Sequence, residues 1–183
     1  MTMHHLTFCS VLLAGLFGGC TYDDYSGQVP DNAYCAQVGE WPAEQSAWEA
    51  RVFDLINYAR ALGANCTKDD HCPPTHPYKP HPALVCAARV HSMDMDNRGY
   101  FDHINPDGQD PTDRAVQAGY LRGGVAENIS AGYGSPEEQF AEWMGSPEHC
   151  KAIMSADYAY IGIGTWLGSS NDGVYSTANF AAR

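Results

Sequence analysis

His103, Glu127 and His149 are the side chains of this sequence best suited to chemistry in combination. Neutral imidazole is a good ligand for a divalent metal, zinc above all. A carboxylate beside it is either a further ligand or the group that holds the far ring nitrogen. His103 lies in Tyr100-Phe101-Asp102-His103-Ile104-Asn105-Pro106-Asp107-Gly108, and Glu127 in Gly124-Val125-Ala126-Glu127-Asn128-Ile129-Ser130. His149 lies in Ser146-Pro147-Glu148-His149-Cys150. A metal with an open position would lower the pKa of its bound water. The three residues are far apart in the chain and no His-Glu-x-x-His motif is present, so only the fold can bring them together. A hydrogen-bonded polar cluster is the other use of the same residues.

Other chemistry finds little support. Gly-x-Ser-x-Gly is absent. His149 and Cys150 are neighbours on a predicted helix, where adjacent side chains do not face one another. Asp94-x-Asp96-x-Arg98-Gly99 fails as a calcium loop, because Arg98 and Asn105 stand at ligand positions. His71 and His76 lack partners at ligand spacing and read as solvated loop residues; His91 reads as a packing or surface residue. Gly162-x-Gly164 has neither a third glycine nor a following helix, so it is not a dinucleotide loop.

The elements that must position these residues follow from periodicity. Trp48, Val52, Leu55, Ile56, Ala59 and Leu62 share one face of a helix expected from Gln45 to Ala61, closed by Gly63. Asn57 and Arg60 on it are expected to make structural polar contacts. Residues 66–80 read as a loop. A second helix starts at Pro82 and stops before Gly99. Asp110-Pro111 opens a third helix that ends at Gly119. Ser135-Pro136-Glu137-Glu138 reads as a capping box for a fourth, and Ser146-Pro147 as the cap of a short fifth. The stretches 158–166 and 174–180 read as a hairpin. Helices followed by such strands suit an α+β domain.

In order and approximate spacing these segments resemble the CAP superfamily, also called the SCP domain (cysteine-rich secretory, antigen 5 and pathogenesis-related proteins), in its bacterial form. The resemblance implies a three-layer α-β-α sandwich with a central antiparallel sheet over 46–183. It also implies a central cleft holding His103, Glu127 and His149, with Ser146 standing where eukaryotic relatives carry a second glutamate. That serine is expected to serve as a helix N-cap, and Asn128 to bond local backbone at a strand end. No spare carboxylate for a general base is evident. The expected function is a non-enzymatic binding module for a lipid, peptide or glycan, its cleft able to take zinc. The alternative is a metal-dependent, protease-like hydrolase.

Composition sets the compartment. Residues 1–19 read as a signal peptide of the lipoprotein type: a short apolar run, then Gly18-Gly19-Cys20. Phe17 stands where leucine is usual, and the leader carries no Lys or Arg. Cleavage would leave Cys20 for a lipid and residues 20–45 as a tether, partly ordered near Cys35 and Trp41, so contact with membrane is expected through that anchor alone. Seven cysteines suit an oxidising compartment. The resemblance pairs Cys66 with Cys150; the partners of Cys35, Cys72 and Cys86 stay open. A formal net charge of -12 argues against a nucleic-acid partner, because neutralising phosphates requires a basic protein surface.

Overall fold

The computed structural model describes Tyr25, residues 27–168 and residues 173–183. The leader, Cys20 and the tip of the predicted hairpin lie outside the described residues. A 3-10 turn (Cys35–Val38) precedes α1 (Ala43–Leu62), β1 (Ala64–Thr67), β2 (Asp70–Cys72) and β3 (Lys79–Pro80). Then come α2 (Pro82–Arg98), α3 (Pro111–Ala118), β4 (Val125–Ala131), α4 (Pro136–Gly145), α5 (Pro147–Met154), β5 (Tyr160–Leu167) and β6 (Val174–Ala181). The architecture is α+β. The main sheet runs β3-β5-β6-β4. Its three long strands are antiparallel, as expected of the central sheet, and the two-residue β3 adds to β5 in parallel at the edge. β1 and β2 form a separate antiparallel hairpin inside the stretch expected to be loop. That hairpin is too short and too polar for a period-2 pattern to reveal it.

Alternation along the strands sorts the helices between the two faces of the sheet. Ile161, Ile163, Ala178 and Phe180 pack with Val52, Phe53 and Ile56 of α1, Trp143 of α4 and Ile153 of α5. On the opposite face, Gly162 and Gly164 lie directly under α2. A Cβ at Gly162 would fall 2.0 Å from the Leu84 carbonyl carbon, and one at Gly164 would fall 2.2 Å from the Arg89 nitrogen. These glycines are needed for the close approach of helix backbone to strand backbone, with no part in binding a nucleotide. Opposite them α2 presents Ala87 and Ala88, both fully buried.

The core face of α1 differs from the apolar stripe expected of it. Gln45, Glu49, Val52, Phe53, Ile56, Asn57 and Arg60 are buried, whereas Leu62 is 60% exposed. Four polar residues on the inward face defeat hydrophobic periodicity; Glu49, Asn57 and Arg60 have specific partners, whereas the buried Gln45 Oε1 has none. Asn57 Oδ1 accepts from the Tyr78 backbone N–H (2.8 Å). Arg60 donates to the carbonyls of His76, Ile153 and Ser155 and stacks on Tyr78, 3.6 Å from the ring centroid. Glu49 takes a bidentate grip from Arg89 and accepts from the Thr165 N–H at 3.1 Å.

The last of these contacts belongs to a wider arrangement. β3 is only two residues long and covers only the start of the outer edge of β5. Beyond it, the Tyr25 hydroxyl donates to Ile163 O (2.6 Å) and accepts from Ile163 N (2.8 Å), and Glu49 then takes Thr165 N. Side chains thus satisfy an edge that would otherwise offer unpaired backbone groups. The segment expected as a tether lies against the domain at Tyr25 and again at Gly27, whose carbonyl accepts from Arg89. The Cys35–Cys86 disulfide joins it to α2, while Cys66–Cys150 joins β1 to α5.

Gly164→Ala is expected to destabilise the domain by about 3 kcal/mol or more, because the obstruction is backbone rather than a side chain that could swing away. Gly108→Ala, where an added Cβ meets nothing within 4 Å, should cost roughly 1 kcal/mol from its positive φ alone. Urea denaturation of both variants checks the order; equal losses would contradict this packing.

Candidate functional site

β4 is the edge strand on the other side of the sheet, and the candidate site lies along it. Adjacent residues on a strand point to opposite faces, and Glu127 and Asn128 use both. Glu127 turns toward α2 and α3. Asn128 turns toward α5, where its Nδ2 donates to the His149 carbonyl at 3.1 Å. This is a contact between distant elements from mid-strand, not the local strand-end bond expected for Asn128.

The Glu127 carboxylate is 1% exposed and carries four polar neighbours. Its Oε1 lies 2.8 Å from His103 Nδ1 and 3.7 Å from His91 Nε2, and its Oε2 accepts from Arg114 Nη2 at 2.7 Å. The Asn179 amide, oriented to satisfy its surroundings, donates to the same Oε2 at 3.1 Å. Arg114, also 1% exposed, in turn donates to the carbonyls of His103 (2.9 Å) and Gln109 (2.8 Å). The loop bearing His103 is further fixed by Asn105, whose Oδ1 accepts from the backbone N–H of Asp107 and Gln109. Asp110 and Asp113 form a reciprocal capping box that starts α3 and so aims Arg114. The capping box expected at Ser135 is only half made: Ser135 accepts from Glu138 N, but the Glu138 carboxylate reaches back to Gly134 N instead.

His103 and His149 line one cleft of about 410 Å³, with Phe101, Asp102, Ile129, Ser130, Ala131, Tyr133 and Glu142. Glu127 lies behind His103 rather than in the cleft wall. Ser146 is not among the lining residues; it stands at the N-cap position of α5, and its side chain makes no capping bond, contrary to expectation. Glu142 is the residue that sequence reasoning missed. It lies on α4 with an oxygen 3.8 Å from His149 Nδ1. Its other oxygen and His149 Nδ1 are both buried and without a hydrogen-bond partner. The available signal was helical spacing. Gln139 and Trp143 are inward, and residue 142 lies three positions from the first, beside the same face. A cleft carboxylate is therefore present, supplied from a position one turn before Ser146.

The two histidines are set apart electrostatically. The hydrogen bond to Glu127, more than any other cause, raises the pKa of His103, against a smaller opposing effect of burial. Burial, and then the charge of His103, lowers that of His149. Burial raises Glu142. Behind the cleft, burial takes His91 down to about 4, so it is neutral and its Nε2 meets the Asp102 carbonyl at 3.1 Å.

These atoms bear on a metal. With Nδ1 engaged by Glu127, His103 has Nε2 left over, an arrangement in which a carboxylate orients a ligating histidine. His149 has an unpartnered ring nitrogen and stays neutral to lower pH than usual, as a ligand must. Glu127 is saturated by Arg114, Asn179 and His103 and fits the orienting role, not that of a third ligand. Among the described residues no three His, Cys, Asp or Glu side chains stand together as a ready metal cluster. The residues present therefore fit two imidazole ligands, with Glu142 the carboxylate beside them.

The family model for CAP, the cysteine-rich secretory protein family, matches residues 53–180. The chain belongs to the CAP family. It is 32% identical over 123 residues to the uncharacterized protein YkwD of Bacillus subtilis, covering 67% of this chain and 44% of that one. It is 27% identical over 144 residues to the uncharacterized membrane protein YlbC of the same organism, covering 79% of this chain and 37% of that one. This CAP chain thus spans less than half the length of these relatives. Among solved structures it is similar to an extracellular SCP-domain protein of Bacillus anthracis (TM-score 0.62, 21% identity, covering 76% of this chain and 41% of that one). It is also similar to an outer surface protein of Borrelia burgdorferi (TM-score 0.57, 16% identity, covering 72% of this chain and 90% of that one). At these identities the likeness concerns the CAP fold alone.

Histidine NMR titration of the apo protein should resolve three sites: His91 near about 4, His149 below the ordinary value of about 6.5, and His103 above it. The signs for stability are opposed. His103 contributes stability below about pH 6.5 that is lost as pH rises through its raised value, whereas His91 and His149 cost stability as pH falls below about 6.5. Glu127→Gln should bring His103 back down and leave His149 nearly in place. A wild-type His103 titrating below His149 would contradict the geometry.

Proposed function

We propose that this CAP domain is an exported binding module whose cleft holds a divalent cation, zinc first, through His103 and His149. The observation that supports it is the pairing of a buried, unpartnered nitrogen on His149 with a His103 whose ring is held by Glu127. Glu127 orients His103 and raises its basicity from behind. When bound, the metal would act as a Lewis acid toward a ligand oxygen in the cleft. Phe101, Tyr133 and Ile129 add apolar surface beside the polar groups, a lining suited to a lipid, peptide or glycan.

Export is supported by the leader at residues 1–19 and by the names of similar proteins, which are extracellular, secretory or outer-surface. Lipid on Cys20 would place the domain close to the membrane, because the Tyr25 hydroxyl is already bound to β5 a few residues later. No described helix is long and apolar enough to cross a membrane.

One observation favours a second reading, a metal-dependent hydrolase. Glu142 is a cleft carboxylate with a raised pKa, the property a general base needs near neutral pH. The two readings separate cleanly. Zinc titration calorimetry at neutral pH should show binding that His103→Ala or His149→Ala removes, with Glu127→Gln weakening it roughly 10- to 100-fold. Binding should fade as pH falls, starting above about 6.5, because the His103 proton competes with the metal. If zinc-loaded protein also cleaves a peptide library in a chelator-sensitive manner, and Glu142→Gln abolishes cleavage while retaining zinc, the hydrolase reading replaces the module. Wild type that takes up no zinc leaves both histidines as members of a polar cluster.

A further inference from the structure

Among the described residues Cys72 is the cysteine outside a disulfide, and it is not isolated. Its Sγ lies 3.5 Å from Cys66 Sγ, which is bonded to Cys150. Three sulfurs are therefore in a row of contacts, from the end of β2, through β1, to α5. We propose that Cys72 is an internal nucleophile that exchanges with the Cys66–Cys150 disulfide. The Cys72 thiolate attacks Cys66 Sγ. The Cys66–Cys72 bond forms as the Cys66–Cys150 bond breaks. The electron pair leaves on Cys150 Sγ, which takes up a proton equivalent to the one Cys72 released. One thiol and one disulfide stand on each side, so no oxidant or reductant is consumed.

The structure favours this route in three ways. First, the hairpin holds attacker and target together, with Ala64 opposite Cys72 and Asn65 opposite His71. The ladder is irregular between Asn65 and Thr67, and the residue between them is Cys66. Second, the burial gradient gives direction: Cys72 is half-buried, Cys66 is 5% exposed and Cys150 is fully buried. Cys72 is the least buried of the three residues and the one whose sulfur carries a free thiol. Third, noncovalent contacts also tie down these elements. Lys151 of α5 pairs with Asp70 of β2 at 3.3 Å, and Asn128 still holds the His149 carbonyl. Cys66–Cys150 closes the longer loop and is the resting pair. The exchanged form loses the covalent tie between β1 and α5, the helix that carries His149. The choice of disulfide partner at the hairpin is thereby connected to the cleft, independently of whether the cleft binds metal.

The test is disulfide mapping of the full chain. Wild type is held folded at pH 8, where an ordinary thiol is partly thiolate, then treated with iodoacetamide and digested without reductant. Modified Cys150 should accumulate together with a Cys66–Cys72 peptide, at least tenfold above the level in Cys72→Ser. In Cys150→Ser, oxidised glutathione should join Cys66 to Cys72, and circular dichroism verifies that the variant is folded. Modification confined to Cys72 in wild type, with Cys150 as protected as in Cys72→Ser, overturns the proposal even if the Cys150 variant does not fold.

Discussion

A single buried carboxylate organises this molecule. Glu127 cannot stand uncompensated at 1% exposure, since a charge out of water costs several kcal/mol unless paired and hydrogen-bonded. Its compensation recruits Arg114 from α3, His103 from the preceding loop, and Asn179 from the neighbouring strand. Each partner is held by something else: Arg114 by carbonyls of the His103 loop, that loop by Asn105, α3 by its capping box. Satisfying one anion thus fixes an otherwise irregular loop and aims an imidazole into a cleft. The next residue, Asn128, ties down the opposite wall through the His149 carbonyl. The Glu-Asn dipeptide sets both sides of the site because a strand alternates its side chains between faces.

The second constraint is steric and lies at the centre of the sheet. α2 rests on Gly162 and Gly164 with no side chain between the backbones. This contact places Ser92 of α2 where its hydroxyl donates within reach of Thr177 and Gly164. It also sets the depth at which His91, the preceding residue, is buried behind Glu127. Packing of the sheet and electrostatics of the cleft are therefore joined through one helix.

Much of this was legible in the sequence, and the reasons are local. α2 was bounded by Pro82 and Gly99, and the structure gives Pro82–Arg98 with Gly99 left-handed at φ 67°. The Cys66–Cys150 pair implied by the family resemblance is present. What escaped depended on distant partners. The inward face of α1 is polar at Glu49, Asn57 and Arg60, and the distant partners Arg89, Tyr78 and the Ile153 carbonyl explain why. Helical spacing puts Glu142 beside the inward face of α4, but its meeting with His149 depends on how α5 packs against α4, which the local sequence does not show. Ser146 was singled out by position, yet its hydroxyl neither caps nor lines the cleft.

The two cleft histidines are chemically unlike because their surroundings are. His103 is half exposed and bonded to an anion, so it holds its proton; His149 is more buried, has no partner at Nδ1, and feels the charge of His103, so it gives its proton up. Between the two altered pKa values the cleft contains one imidazolium and one neutral imidazole, with the Glu142 carboxylate at the second. A cation must displace the first proton to use both rings, and it meets the second ring already free. The same asymmetry would serve a proton donor and a proton acceptor placed on opposite sides of one ligand. Which use the cleft makes is decided by what can enter beside Phe101 and Tyr133, and both uses draw on the same cause, the placement of Glu127 behind one histidine and not the other.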